Sequence, residues 1–176
     1  MIVRDTALPG VRLIALEPTR DERGSFTAFF RESVAREHGM VSIIRQCANS
    51  HNLRAGTIRG VHFQAGADAE SKYVRCVAGR AYDVVLDLRR NSPTFLKWIA
   101  TELAAGDDQM LYVPAGCAHG FQTLADNTEL SYLLTEEFRA GRDIGVRWND
   151  PAFGILWPAT CTMMSDRDAS YPDFVV

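Results

Sequence analysis

Residues 57–72 read TIRGVHFQAGADAESK. Thr57, Ile58, Val61 and Phe63 give this stretch the β-branched and aromatic content of a strand, and it carries Arg59 and His62 into a small polar loop that leads to Lys72. On a flat strand Arg59 and Val61 face one side, with Gly60 and His62 on the other. A glycine inside such a strand marks a bulge or a close approach of backbone. A guanidinium, an imidazole and an ammonium in close succession form the set that carbonyl chemistry asks for: an anion holder, a base poised near neutral pH and a cation for a developing oxyanion. A strand histidine alone more often serves packing than chemistry, so the assignment depends on the rest of the chain.

Downstream, further short strands are predicted over residues 72–78, 81–88, 96–103, 109–113, 119–124 and 128–135. They are parted by turn-forming residues: Gly79-Arg80, Asn91-Ser92-Pro93, Gly106-Asp107-Asp108 and Ala125-Asp126-Asn127. No amphipathic segment of helix length separates them, which excludes parallel βαβ units and predicts an all-β antiparallel sandwich or jelly-roll barrel. Upstream, residues 3–17 read as a strand pair broken at Pro9-Gly10, and Asp21-Glu22-Arg23-Gly24 as a turn before a strand over 25–30. A short helix is predicted over 31–38, stopped by Gly39, then a strand over 41–46 and a polar loop over 48–56. The tail from Asp150-Pro151 onward reads as loop with room for one more strand. With no repeat, low-complexity tract or linker, residues 1–176 are expected to form one domain.

A formal charge of −3 offers no general field for nucleic acid or anionic membrane, so an anionic ligand would have to meet local positive charge. Residues 1–10, MIVRDTALPG, lack an apolar h-region, and no apolar run approaches the length of a membrane span. Cys47, Cys76, Cys117 and Cys161 are scattered without a CxxC pair, as reduced thiols of a cytoplasmic protein would be; neither a disulfide framework nor a zinc site is expected.

Three more constellations bear on chemistry. Pro114-Ala115-Gly116-Cys117-Ala118-His119-Gly120 sets a rigid turn before a histidine at a strand start, and P-x-G-x-x-H resembles the second cupin motif. The first cupin motif needs two histidines one residue apart and a later glutamate. Val61-His62-Phe63-Gln64 supplies one histidine, so no metal ligand set and no cofactor is expected. Tyr132 in Leu130-Ser131-Tyr132-Leu133-Leu134 is either a core tyrosine or a general acid inside a barrel. Ser165-Asp166-Arg167-Asp168 is either a solvated turn or the source of a carboxylate that orients His62.

Taken together and in order, Asp21-Glu22-Arg23-Gly24, Arg59-Gly60-Val61-His62-Phe63-Gln64, Lys72-Tyr73-Val74-Arg75, Asp87-Leu88-Arg89, Ser92-Pro93-Thr94-Phe95, Val113-Pro114-Ala115-Gly116 with His119-Gly120-Phe121, Arg147-Trp148-Asn149-Asp150-Pro151 and Ser165-Asp166-Arg167-Asp168 resemble the dTDP-4-dehydrorhamnose 3,5-epimerase family. The resemblance implies a metal-free antiparallel cupin jelly-roll barrel with one or two short helices, acting as a homodimer joined through its N-terminal strands. The implied substrate is a nucleotide-diphosphate 4-keto-6-deoxyhexose inverted at C3 and C5 through an enolate. By the same resemblance His62 is the base, Asp168 its paired carboxylate, Lys72 the cation at the C4 carbonyl and Tyr132 the acid on the opposite face. Arg23, Phe26, Gln46, Asn49, Arg59, His119, Asp143 and Arg167 fall at substrate-binding positions, Arg167 near the phosphates.

The chain departs from the family pattern where Ala28 and Ala48 stand for a glutamate and an asparagine, and Asp143 for a glutamate. The identity of the base is therefore left open among dTDP, CDP, UDP and GDP, because a site built to hydrogen-bond thymine would lose discrimination without those groups. Inversion at one carbon alone, a 3,4-ketoisomerase, a cupin that binds sugar nucleotide without turnover and a metal-dependent cupin stand as alternatives. The joint presence of His62, Lys72, Tyr132 and Asp168 argues against an inert binder.

Overall fold

The computed structural model describes residues 1–175 apart from 65, 67, 68, 138–140 and 142, and only the backbone of Asp143. Two antiparallel sheets face each other. The first runs in the order β1(Ile2–Asp5), β2(Arg12–Ala15), β10(Gln109–Val113), β7(Lys72–Ala78), β12(Thr128–Leu134), β5(Gln46–Asn52). The second runs β13(Asp143–Gly145), β6(Ile58–Gln64), β11(Cys117–Thr123), β8(Arg80–Asp87), β9(Trp98–Ala104). A hairpin of β3(Thr19–Asp21) and β4(Gly24–Phe26) stands apart, and the helices are α1(Glu32–Glu37) and α2(Asp166–Ala169). This is the antiparallel all-β architecture that the strand spacing predicts, in the jelly-roll form that the resemblance implies.

Strand periodicity sorts the apolar residues into layers. Val74 and Cys76 of β7, Val85 of β8, Leu111 and Val113 of β10 and Leu130 of β12 meet between the sheets in the central cluster. The intervening Tyr73, Met110, Tyr112 and Leu133 point the other way and are capped by Ala35 of α1 and by Met40. Val84 and Leu86 turn outward on the second sheet and are covered by Val146, Phe153 and Ile155 of the tail. Covered faces on both sides explain why β8 from Asp83 to Asp87 is buried throughout rather than alternately. Each fully buried Val, Leu or Met side chain of these layers contributes about 1.5–3 kcal/mol.

Two segments differ from the sequence expectation. Residues 41–44 form no strand: the Val41 N–H donates to the Tyr112 hydroxyl (3.1 Å), and its carbonyl accepts from the Tyr73 hydroxyl (2.8 Å). The strand lies instead over Gln46–Asn52, where a polar loop was expected, paired along its length with β12. Its residues are polar because one face borders a cavity and the other is exposed, so no apolar alternation marks it. The strand expected over 25–30 ends at Phe26. α1 is stopped at Gly39, which takes φ +66° as a left-handed cap.

The stretch around Gly60 also departs from flat alternation. His119 pairs with His62 and Phe121 with Arg59, so Gly60 and Val61 together oppose the single residue Gly120 in a bulge. Gly60 holds φ +111°, and a Cβ there would fall 2.7 Å from the Gly120 Cα. The extra residue resets the pleat. Arg59 and His62, expected on opposite sides, border the same cavity, while Val61 is packed into the outer layer.

Candidate active site

One end of the barrel opens into a cavity of about 740 Å³. Arg59 and His62 of β6, Lys72 of β7, His119 of β11 and Tyr132 of β12 border it, with Gln46 and Asn49 of β5 on one side and Arg167 and Asp168 of α2 on the other. Nine of the twelve residues singled out from sequence are thus brought together. Arg23 and Phe26 are not: they sit on the β3–β4 hairpin, where Arg23 pairs with Asp21 and Phe26 is 77% exposed. Asp143 places its backbone opposite Gln64, and its side chain lies outside the described residues.

His62 Nε2 lies 2.7 Å from Asp168 Oδ1, across 106 positions of chain. The second carboxylate oxygen accepts the Gly60 N–H at 3.2 Å. α2 is held in place by its N-cap, in which Ser165 Oγ accepts the Asp168 N–H at 3.1 Å. Burial pushes the Asp168 carboxyl up, but the hydrogen bond and charge of His62 and the Gly60 N–H outweigh it, leaving the group below its ordinary range. With Nε2 engaged, Nδ1 is the ring nitrogen left to take a proton. Tyr171 packs edge-on against the imidazole, ring centroids 5.9 Å apart.

Directly across the ladder, His119 Nε2 lies 2.9 Å from both oxygens of Asp83, which is fully buried. Tyr132 meets the His119 ring edge-on at 6.0 Å. Burial, with the Asp83 charge adding and Arg59 opposing, pushes its phenol well above the ordinary value, so Tyr132 stays protonated throughout the working range. Lys72 Nζ pairs with Glu70 Oε1 at 2.9 Å. Arg59 is aimed by its Nε, which donates to Asn52 Oδ1 at 2.7 Å, and Arg167 Nε donates to the Tyr171 hydroxyl at 2.8 Å.

Sequence reading missed Glu70, Asp83 and Asn52. Two of them carried a signal. Asp83 interrupts the apolar run Ala81-Tyr82-Asp83-Val84-Val85-Leu86, where a carboxylate must have a partner, and Glu70 stands two residues before Lys72, the spacing of one strand face. Asn52 lay in a segment read as loop. Among the described residues no three His, Cys, Asp or Glu side chains are grouped to hold a metal ion, and no helix is long and apolar enough to cross a membrane.

A sequence model of the family described as dTDP-4-dehydrorhamnose 3,5-epimerase matches residues 5–175. The dTDP-4-dehydrorhamnose 3,5-epimerase of Sinorhizobium fredii is 40% identical over 173 residues, covering 98% of this chain and 89% of that protein. The crystal structure of the Elizabethkingia anophelis enzyme of that name superposes with a TM-score of 0.94 at 33% identity, over 99% of this chain and 96% of that one. A 3'-monoepimerase from Streptomyces bikiniensis, solved with dTDP-quinovose, superposes with a TM-score of 0.88 at 31% identity, over 96% of this chain and 85% of that one.

Proposed function

The chain belongs to the dTDP-4-dehydrorhamnose 3,5-epimerase family, and from that membership we propose how its cavity works on a nucleotide-diphosphate 4-keto-6-deoxyhexose. The reaction is epimerisation next to the C4 ketone, and the observation that carries the reading is the convergence of the His62–Asp168 pair, Lys72 and Tyr132 on one cavity. A C–H beside a ketone becomes acidic when the enolate is stabilised. His62 takes the proton on the nitrogen that Asp168 leaves free, and the Asp168 carboxylate stabilises the imidazolium that forms. The electron pair moves to the C4 oxygen, where the Lys72 ammonium meets it; losing an oxyanion donor of this kind costs about 3 kcal/mol.

Tyr132 then gives its hydroxyl proton to the carbon from the opposite face, which inverts the centre and leaves a phenolate. Proton exchange with solvent returns Tyr132 to the phenol and His62 to the neutral base. C3 and C5 both flank C4, so the same groups serve inversion at either carbon or at both. Arg59 and Arg167 supply local positive charge for the diphosphate, His119 contacts the sugar, and Gln46 and Asn49 face the nucleoside. Asp143 is placed among the binding residues by the resemblance alone.

The exposure of Arg23, Phe26 and Ile2 supports a homodimer formed through the N-terminal strands, where those side chains would be covered and the open edge at β1 paired. A monomeric mass by light scattering at micromolar concentration would count against it. Cys47, Cys76, Cys117 and Cys161, all free thiols, fit a reducing cytoplasm.

The roles of base and acid separate in heavy water. His62→Ala loses both deuterium exchange and inversion. Tyr132→Phe keeps the base and the stabilised enolate, so it still washes deuterium into the substrate with retention, while inversion falls by about 100- to 10,000-fold. Inversion at the wild-type rate in Tyr132→Phe would assign the acid to another group.

A further inference from the structure

Lys72 does not face the cavity as a free cation. Glu70 Oε1 lies 2.9 Å from its Nζ, and Glu70 Oε2 accepts from Gln64 Nε2 at 2.9 Å. The two charged side chains are 7% and 10% exposed, and both border the cavity. Gln64 stands behind them, buried on β6. Its own Oε1 has no hydrogen-bond partner among the described residues, so the amide is held there by what it donates to Glu70. The strand neighbours of Lys72 are Val113 on β10 and Leu134 on β12, which offer no charge. The chain therefore builds a line from the second sheet to the first: Gln64 fixes Glu70, and Glu70 fixes Lys72.

We propose that Glu70 is a positioning residue for Lys72, holding the ammonium at the carbonyl end of the cavity as one half of an ion pair. The proposal rests on the reading of Lys72 as the group that meets the enolate oxygen. Two consequences follow from elementary electrostatics. A lysine stem has several rotatable bonds, and an anchored ammonium spends less of its hydrogen-bond energy on being ordered when the oxygen charge appears. A formally neutral pair also draws little on charge already present in the substrate. An unpaired ammonium deep in the cavity would compete with Arg59 and Arg167 for the diphosphate and favour a reversed, unreactive pose. The paired ammonium answers mainly to charge that develops on the C4 oxygen, so its effect belongs to the transition state rather than to substrate capture.

The test is a double-mutant cycle over Glu70→Gln and Lys72→Met, with kcat and KM for inversion and the deuterium exchange rate measured on each variant. Glu70→Gln keeps the shape and removes the charge. It is expected to lower kcat by about 10- to 100-fold with KM unchanged or lower. Glu70→Asp keeps the charge and draws it back by one methylene, and is expected to fall between Glu70→Gln and the wild type. In a Lys72→Met background Glu70→Gln should cost nothing further, because Glu70 acts only through the lysine. A wild-type kcat in Glu70→Gln, a Glu70→Asp variant no better than Glu70→Gln, or single effects that multiply in the double variant, overturns the proposal while leaving the role of Lys72 standing. Full activity in Lys72→Met overturns that role itself, a different result on the same set of proteins.

Discussion

Replacing Asp168 by asparagine asks two carboxylate oxygens to become one. Oδ1 faces His62 Nε2 at 2.7 Å and Oδ2 faces the Gly60 N–H at 3.2 Å. The Gly60 N–H is a fixed donor, so the asparagine carbonyl turns to it and presents its NH2 to the imidazole. Nε2 must then be the acceptor, which moves the ring proton to Nδ1 and occupies the nitrogen that takes the substrate proton. The alternative orientation sets NH2 against the Gly60 N–H, two donors face to face in a buried place, at a cost of about 1–3 kcal/mol. In a serine protease triad the corresponding change lowers kcat by about 10,000-fold. The His62 side chain is 27% exposed, so water can partly solvate the imidazolium, and the smaller loss of about 1,000-fold, or about 4 kcal/mol of barrier, is expected here. The assay is deuterium incorporation into the 4-keto sugar, followed by mass and NMR and normalised to the folded fraction. Exchange in Asp168→Asn within tenfold of wild type would refute the tautomer argument.

Three further outcomes are expected. Gly60→Ala forces a Cβ to within 2.7 Å of the Gly120 Cα at a backbone φ of +111°. A cost of about 3 kcal/mol should lower the melting temperature by about 6–12 °C, and a change under 2 °C would show that the bulge has room. Burial raises the Asp87 carboxyl, yet Arg89, Ser92 and Thr94 donate to it strongly enough to hold it well below its ordinary value. A depressed folded pKa gives stability that is present above the unfolded pKa near 4 and lost as pH falls through the folded one. The urea midpoint should therefore fall less between pH 5 and pH 2 in Asp87→Asn than in wild type; equal falls would remove Asp87 from the account. Ala28 and Ala48 offer no side-chain hydrogen bond to a base, so dTDP-sugar should bind less than about tenfold, or about 1.4 kcal/mol, more tightly than CDP, UDP or GDP counterparts. A hundredfold preference by titration calorimetry would contradict this.

The strands with apolar alternation or dense β-branching were legible within one or two residues, because burial between two sheets imposes that pattern on β7, β8, β10, β11 and β12. β5 was not. Its sequence QCANSHN serves a polar cavity on one side and solvent on the other, so nothing in it reports burial. The opposite error arose at Val41 and Ile43, apolar residues that looked like a strand and are 43% and 59% exposed on a segment pinned by two tyrosine hydroxyls. Around the cavity, the sequence motifs and the family resemblance together named nine residues that border it but not those that aim them. Asn52 and Asp83 hold Arg59 and His119 through contacts between strands, Asn52–Arg59 from β5 to β6 across the two sheets and Asp83–His119 along the β8–β11 ladder, and neither is visible before the strands are placed; Glu70 holds Lys72 from two residues away. The hairpin at Arg23 and Phe26 is the remaining gap. Family resemblance put both residues at a ligand, and one chain alone leaves them at the surface.

The span of 106 positions between His62 and Asp168 has a meaning for the chain as it is made. At synthesis rates of about 5–20 residues per second the imidazole exists for roughly 5–20 s before its carboxylate does. Every strand of both sheets precedes Ser165, so a chain can hold all the strands of the barrel while still lacking Asp168 and Arg167 of the cavity wall. In the proposed mechanism the base is aimed only once α2 docks. A chain that loses the residues after Ser165 would keep every strand of both sheets and lose the carboxylate paired with His62, together with Phe174 of the outer layer.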